Sequence, residues 1–66
     1  MNKAKLRGCM LINNDTYDSL ADKIGMARST FSSKINGHTQ FTIEEAKKIS
    51  QAYHLTDKMA YEIFLT

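Results

Sequence analysis

Between Tyr17 and Ile35 the sequence specifies two short helices with almost no chain between them. Tyr17, Leu20, Ala21 and Ile24 fall at i, i+3, i+4 and i+7, the spacing that lines one face of an α-helix. Gly25 follows directly, and a glycine just past an apolar stripe takes the left-handed conformation that stops a helix without a Cβ clash. A third helix of the chain then starts near Ala27 or Arg28. Its apolar anchors are Phe31 and Ile35, and Gly37 closes it in the same way. Every other position from Arg28 to Asn36 is Arg, Ser, Thr, Lys or Asn. So short a connection forces the two helices to cross closely, and Ala21 supplies the small side chain that the crossing needs.

The remaining sequence also reads as helix. Apolar residues recur at three- and four-residue steps, and no run alternates as a strand would. The expected fold is all-α, with five helices in one domain over residues 1–66. The first helix covers Lys3 to Ile12, with Leu6 and Met10 one turn apart and Cys9 beside them. "NNDT" at 13–16 is a turn, and Thr16 is a good N-cap for a second helix from Tyr17 to Ile24. After the loop "HTQF", Thr42 and Glu45 form an S/T-x-x-E capping box, with Phe41 placed to staple onto Ala46. The fourth helix is expected to carry Ile43, Ala46, Ile49 and Tyr53 inward. "HLTD" ends it, and a last helix from Asp57 presents Met59, Ala60, Ile63 and Phe64.

A chain of 66 residues lies near the lower limit for folding without metal or disulfides. Its apolar content of 42% is that of a globular protein. There is no stretch long enough to span a bilayer, and "MNKAKLRGCML" lacks the apolar core and cleavage site of a signal peptide. The expectation is a cytoplasmic protein with no membrane partner. Cys9 has no second cysteine to pair with and reads as a small buried hydrophobe. His38 and His54 lack other ligands at metal-binding spacing. No paired carboxylates, nucleophile–base spacing or phosphate loop is visible, so no enzyme, cofactor or small-molecule substrate is expected. Glu44 and Glu45 are accounted for by capping and the helix dipole.

The formal charge is only +2, but its distribution is uneven. Residues 1–37 hold six Lys or Arg against three Asp or Glu, and residues 38–66 hold three against four. That suits a polyanionic partner; a solvated surface gives the same asymmetry. The polar third helix has two readings as well. It is either a face left to water or a face that meets another polar surface. The major groove of DNA admits an α-helix, and short polar side chains permit close approach. Arg28, at the start of that helix, matches the O6/N7 pair of guanine, and Thr30 offers a methyl to thymine. Backbone N–H groups at the helix start can also hold a phosphate.

"LADKIGMARSTFSSKING", continued through "FTIEEAKKISQAYHLTDKMAYEIF", resembles the helix-turn-helix domain of the Cro/CI-type (lambda repressor-like, XRE) phage regulators. The resemblance covers residues 16–66, and the first helix suits the family's extra N-terminal helix. "KLRG" and "YEIFLT" look like small phage repressors that consist of this domain alone. The resemblance implies a transcriptional repressor on the nucleoid of a bacterial host, binding a double-stranded DNA operator as a homodimer through helix 3. It implies base reading by Arg28, Ser29 and Ser33, with Ser32 a weaker candidate. It puts Asn36, His38 and Thr39 in a loop that contacts the DNA backbone. Tyr17 stands where many members have a Gln that touches phosphate; on the apolar stripe it reads equally as core. Lys34 is either a phosphate contact or merely solvated. Ala27 stands where a Ser or Thr N-cap is usual. For pairing, the C-terminal helix offers Met59, Ile63, Phe64 and Leu65, although Ile63 and Phe64 also suit the monomer core. Competing readings are an antitoxin-type DNA-binding regulator and, from a different class, a helical protein-interaction module such as an antirepressor.

Overall fold

The computed structural model describes residues 1–65, which form five helices and no strand. They are α1 (Lys3–Ile12), α2 (Tyr17–Lys23), α3 (Arg28–Ile35), α4 (Ile43–Ala52) and α5 (Asp57–Phe64). The fold is all-α, as the apolar spacing requires.

The first four helices end by one device. Asn14, Gly25, Gly37 and His54 have φ of 57°, 70°, 85° and 51°, each just past a helix end. The next N–H then reaches back to a carbonyl five residues earlier: Asp15 to Met10, Met26 to Ala21, His38 to Ser33 and Leu55 to Ser50, all at 2.8–2.9 Å. This is the Schellman bond, which satisfies carbonyls that the helix leaves unpaired. The two glycines were legible in the sequence. Asn14 and His54 adopt the same conformation with side chains that normally avoid it, Asn being the more tolerant of the two.

The core gathers Leu6, Met10, Leu20, Ala21, Ile24, Phe31, Ile35, Ile49, Tyr53 and Ile63. Phe31 is fully buried, and a chain of aromatic contacts runs through it from Tyr17 to Phe41 and on to Phe64, with centroids 5.4, 5.7 and 5.9 Å apart. Phe41 therefore packs between Phe31 and Phe64, which ties the loop before α4 to α3 and α5. Three expectations need correction. Ile43 is 77% exposed, because it begins α4 on the side away from Ile49. Ile63 and the half-buried Phe64 close the monomer core and are not a free pairing surface. Cys9 is only half-buried, packed on the rim of the core.

Polar contacts finish what so small a core leaves undone. Asp15, in the α1–α2 turn, has a side chain only 3% exposed. It accepts hydrogen bonds from Tyr53 Oη at 2.6 Å, Ser19 Oγ at 2.7 Å and Lys23 Nζ at 2.9 Å. One carboxylate thus joins the turn, α2 and the end of α4. Lys23 also lies 5.9 Å over the Tyr53 ring. At the chain ends, the N–H of Asn2 bonds the Ile63 carbonyl at 2.6 Å, and Lys5 pairs with Glu62 at 2.7 Å, so α5 is held to α1.

Burial alone would raise the Asp15 carboxyl, but hydrogen bonds from Tyr53, Lys23 and Ser19, with the Lys23 charge, hold it below the ordinary 3.8. Burial and the Asp15 partner push the Tyr53 phenol upward, which keeps it a donor. A carboxyl more acidic in the folded state gives stability that is full above pH 3.8 and is lost as pH falls through the lowered value. Asp15→Asn should therefore cost about 1–3 kcal/mol at pH 7. Urea titrations at pH 7 and pH 3 should show the gap to the parent narrowing at the lower pH. An unchanged gap would rule out the carboxylate charge as the source.

Candidate nucleic-acid interface

α2 and α3 pack more closely on each other than any other pair of helices. α2 is fixed at its start by a reciprocal cap: Thr16 Oγ1 accepts from the Ser19 N–H, and Ser19 Oγ accepts from the Thr16 N–H. Gly25 turns the chain, and Met26 folds back onto the core. Leu20 and Ala21 of α2 are buried with Phe31 and Ile35 of α3. With only those two residues inside, α3 is mounted by one edge.

What α3 leaves outside is concentrated at its start. Arg28, Ser29 and Thr30 are exposed in its first turn. Asn2, Thr16, Thr42 and Thr56 each accept a hydrogen bond from a backbone N–H at the start of their own helix, whereas Ala27 has no side-chain cap to offer α3. The first N–H groups of α3 are thus open to an outside acceptor. Arg28 Nε lies 3.0 Å from Asp18 Oδ1 on α2, and both side chains are largely in solvent.

Several expected contacts have other tasks. Ser32 and Ser33 are half-buried and do not project freely. Ser32 Oγ accepts from the Asn36 amide at 3.3 Å, and the Ser33 carbonyl accepts from the His38 and Thr39 N–H groups. Asn36 Oδ1 accepts from Lys3 Nζ at 2.7 Å. Lys34 is neither solvated nor a free phosphate contact, since its side chain is only 12% exposed. Its ammonium donates to Glu45 Oε1 at 2.6 Å and to the Gln40 carbonyl at 3.2 Å. The same Glu45 oxygen caps Thr42, so Lys34 clamps the end of α3 to the start of α4. Tyr17 packs its ring edge-on against Phe31, as the core reading expects, and its hydroxyl makes no hydrogen bond among the described residues. His38 and Thr39 are exposed in the loop after α3.

These pairings also change the reading of charge. Of the cations in residues 1–37, Lys5, Lys23, Arg28 and Lys34 pair with Glu62, Asp15, Asp18 and Glu45. Two of those acids come from the acidic half, so the asymmetry along the chain is partly cancelled in space. Near α3, Arg28 at its start is paired with Asp18, while the Lys3 ammonium rests on the Asn36 amide oxygen at its end. Among the described residues no group of three or more His, Cys, Asp or Glu gathers to hold a metal, and no helix is long and apolar enough to cross a membrane. Asp15, which ties the α1–α2 turn to α2 and α4, and Asp18, which faces Arg28, carry no mark in the sequence, because their partners are set by the fold.

Against family models, curated proteins and solved structures alike, the chain finds no match.

Burial raises the Glu45 carboxyl, and the Lys34 and Thr42 contacts lower it further than burial raises it. Lys34→Ala should cost about 1–2 kcal/mol, and much of that loss should vanish in a Glu45→Gln background. A double-mutant cycle by urea denaturation measures the coupling. Additive costs would dismiss the clamp.

Proposed function

We propose that this chain is a sequence-specific DNA-binding transcriptional regulator of repressor type, in which α2 and α3 act as a helix-turn-helix. It would work in the cytoplasm of a bacterial host, on a double-stranded operator. The observation that carries the reading is α3 itself: a polar helix held by Phe31 and Ile35 alone, uncapped at its start, with Arg28, Ser29 and Thr30 exposed together. A helix so mounted can enter a major groove N-terminus first, with side chains on base edges and N–H groups near a phosphate. The resemblance of its sequence to Cro/CI-type regulators supports the same reading.

The roles divide as follows. Arg28 reads a guanine through its guanidinium, and Ser29 and Thr30 contact neighbouring bases. Ser32 and Ser33 lie deeper and contribute at close approach only. The Tyr17 hydroxyl, His38 and Thr39 contact the DNA backbone on either side. One α3 spans only a few base pairs, so a selective site calls for two copies on a palindrome, with half-sites about 10 base pairs apart. With Ile63 inside the core, the pairing surface passes to the exposed Ile43, Tyr61 and Leu65, which share one groove between α4 and α5. Tyr61→Asp should weaken self-association and operator binding while leaving the fold intact. Sedimentation with and without a palindromic duplex measures this, and a parent that binds one half-site as a monomer would contradict it.

The same apolar groove is the observation that favours the other class, a helical protein-interaction module. Retention on a DNA column that is lost at high salt separates the two, and selection of bound sites from random duplex then supplies the operator. On that operator Arg28→Ala should lose about 1–3 kcal/mol and relax preference at one base pair per half-site, with a much smaller loss on random DNA. Arg28→Lys should rescue only in part, because an ammonium lacks the planar fork. Titrations against the operator, its single-base variants and random duplex decide the matter. An equal loss on every duplex would make Arg28 a backbone contact.

A further inference from the structure

The Asp18–Arg28 ion pair has no evident task in folding. It lies in solvent, the side chains being 73% and 62% exposed, and an exposed pair adds little to stability. It does join the start of α2 to the start of α3. Asp18 follows Tyr17, whose ring is set against Phe31, and stands inside the Thr16–Ser19 capping box. Arg28 is the first residue of α3. The carboxylate lies beside Nε, and no guanidinium donor is used in a hydrogen bond among the described residues. The terminal nitrogens therefore remain available to a planar pair of acceptors.

We propose that Asp18 is a positioning residue that sets the specificity of Arg28. The proposal rests on the operator-binding reading and deepens it. Asp18 acts in two ways. Its carboxylate attracts the guanidinium to the α2 side of the start of α3, which biases the rotamers of Arg28 before a base edge is met. Its negative charge also opposes phosphate at the same spot. An Arg28 that merely settles on the DNA backbone brings Asp18 toward a phosphate, whereas one that reaches into the groove does not. The two actions move different quantities. Direction favours the correct base, and repulsion weakens binding to every other sequence.

Opposite signs are therefore the signature. With the full chain, Asp18→Asn should raise affinity for random duplex by about two- to fivefold, since one anionic charge near the phosphates is gone. Discrimination at the base pair read by Arg28 should fall by about three- to tenfold, within the range that one bidentate contact supplies. Asp18→Glu should recover part of the discrimination. In an Arg28→Ala background Asp18→Asn should leave discrimination unchanged. A second measurement needs no DNA: nitrogen-15 relaxation of Arg28 Nε in the free protein should report a restricted side chain that becomes mobile in Asp18→Asn. Melting curves of each variant serve as the fold control. If the parent binds DNA selectively and Asp18→Asn shifts operator and random duplex by one factor, the proposal is overturned and the regulator reading stands. The same holds if Arg28 is equally mobile in parent and variant. If the parent binds no duplex, both readings fall.

Discussion

Phe31 sits on the helix with least to offer a core, and the fold depends on it for that reason. α3 buries two side chains, and Phe31 is the larger, enclosed on all sides and in contact with Tyr17 and Phe41. Full burial of such a side chain is worth about 1.5–3 kcal/mol. The stability of a chain this size is on the order of 3–10 kcal/mol, so one ring carries a sizeable share. It also fixes geometry. A helix held at Phe31 and at Ile35 one turn later cannot roll, so the same few side chains always face outward.

Once the apolar supply is used, polar groups take over as ties. Asp15 joins the α1–α2 turn to α2 and α4; Lys34 and Glu45 join α3 to α4; Lys5 and Glu62 join the two ends. Each tie uses a charge that would otherwise lie free at the surface. A cation committed to a carboxylate in the same chain is a weak attractor for a polyanion, and most cations of the first half are so committed. On the proposed reading, selectivity would then rest on the particular groups exposed at the start of α3, and less on bulk attraction.

Helix positions were legible because local rules govern them. Thr42 and Glu45 cap α4 as their spacing requires, and Gly25 and Gly37 end α2 and α3 as their lack of a side chain allows. The anchoring of α3 was legible for the same reason, since Phe31 and Ile35 stand alone among polar neighbours. Long-range partners were not. Asp15 looks like a turn residue, yet it meets Tyr53 across 38 positions, and nothing local marks it for burial. Lys34 meets Glu45 because Gly37 and the loop after it fold α4 back, and Ile43 turns outward although its spacing from Ala46 suggests the opposite. Local pattern reveals which residues share a helix face. Which face finds a neighbour is decided by how the helices cross.

The left-handed stops at Asn14, Gly25, Gly37 and His54 have a kinetic side. Each reverses the chain between helices that follow one another directly, so neighbours such as α2 and α3 meet with little loop entropy to overcome. Chains dominated by such local meetings fold on microsecond to millisecond timescales. The exception is the closure of α5 on α1, where Asn2 reaches Ile63 and Lys5 reaches Glu62 across nearly the whole length. That contact gains least from its neighbours' order. Its loop-closure entropy is the largest of any tie in the fold.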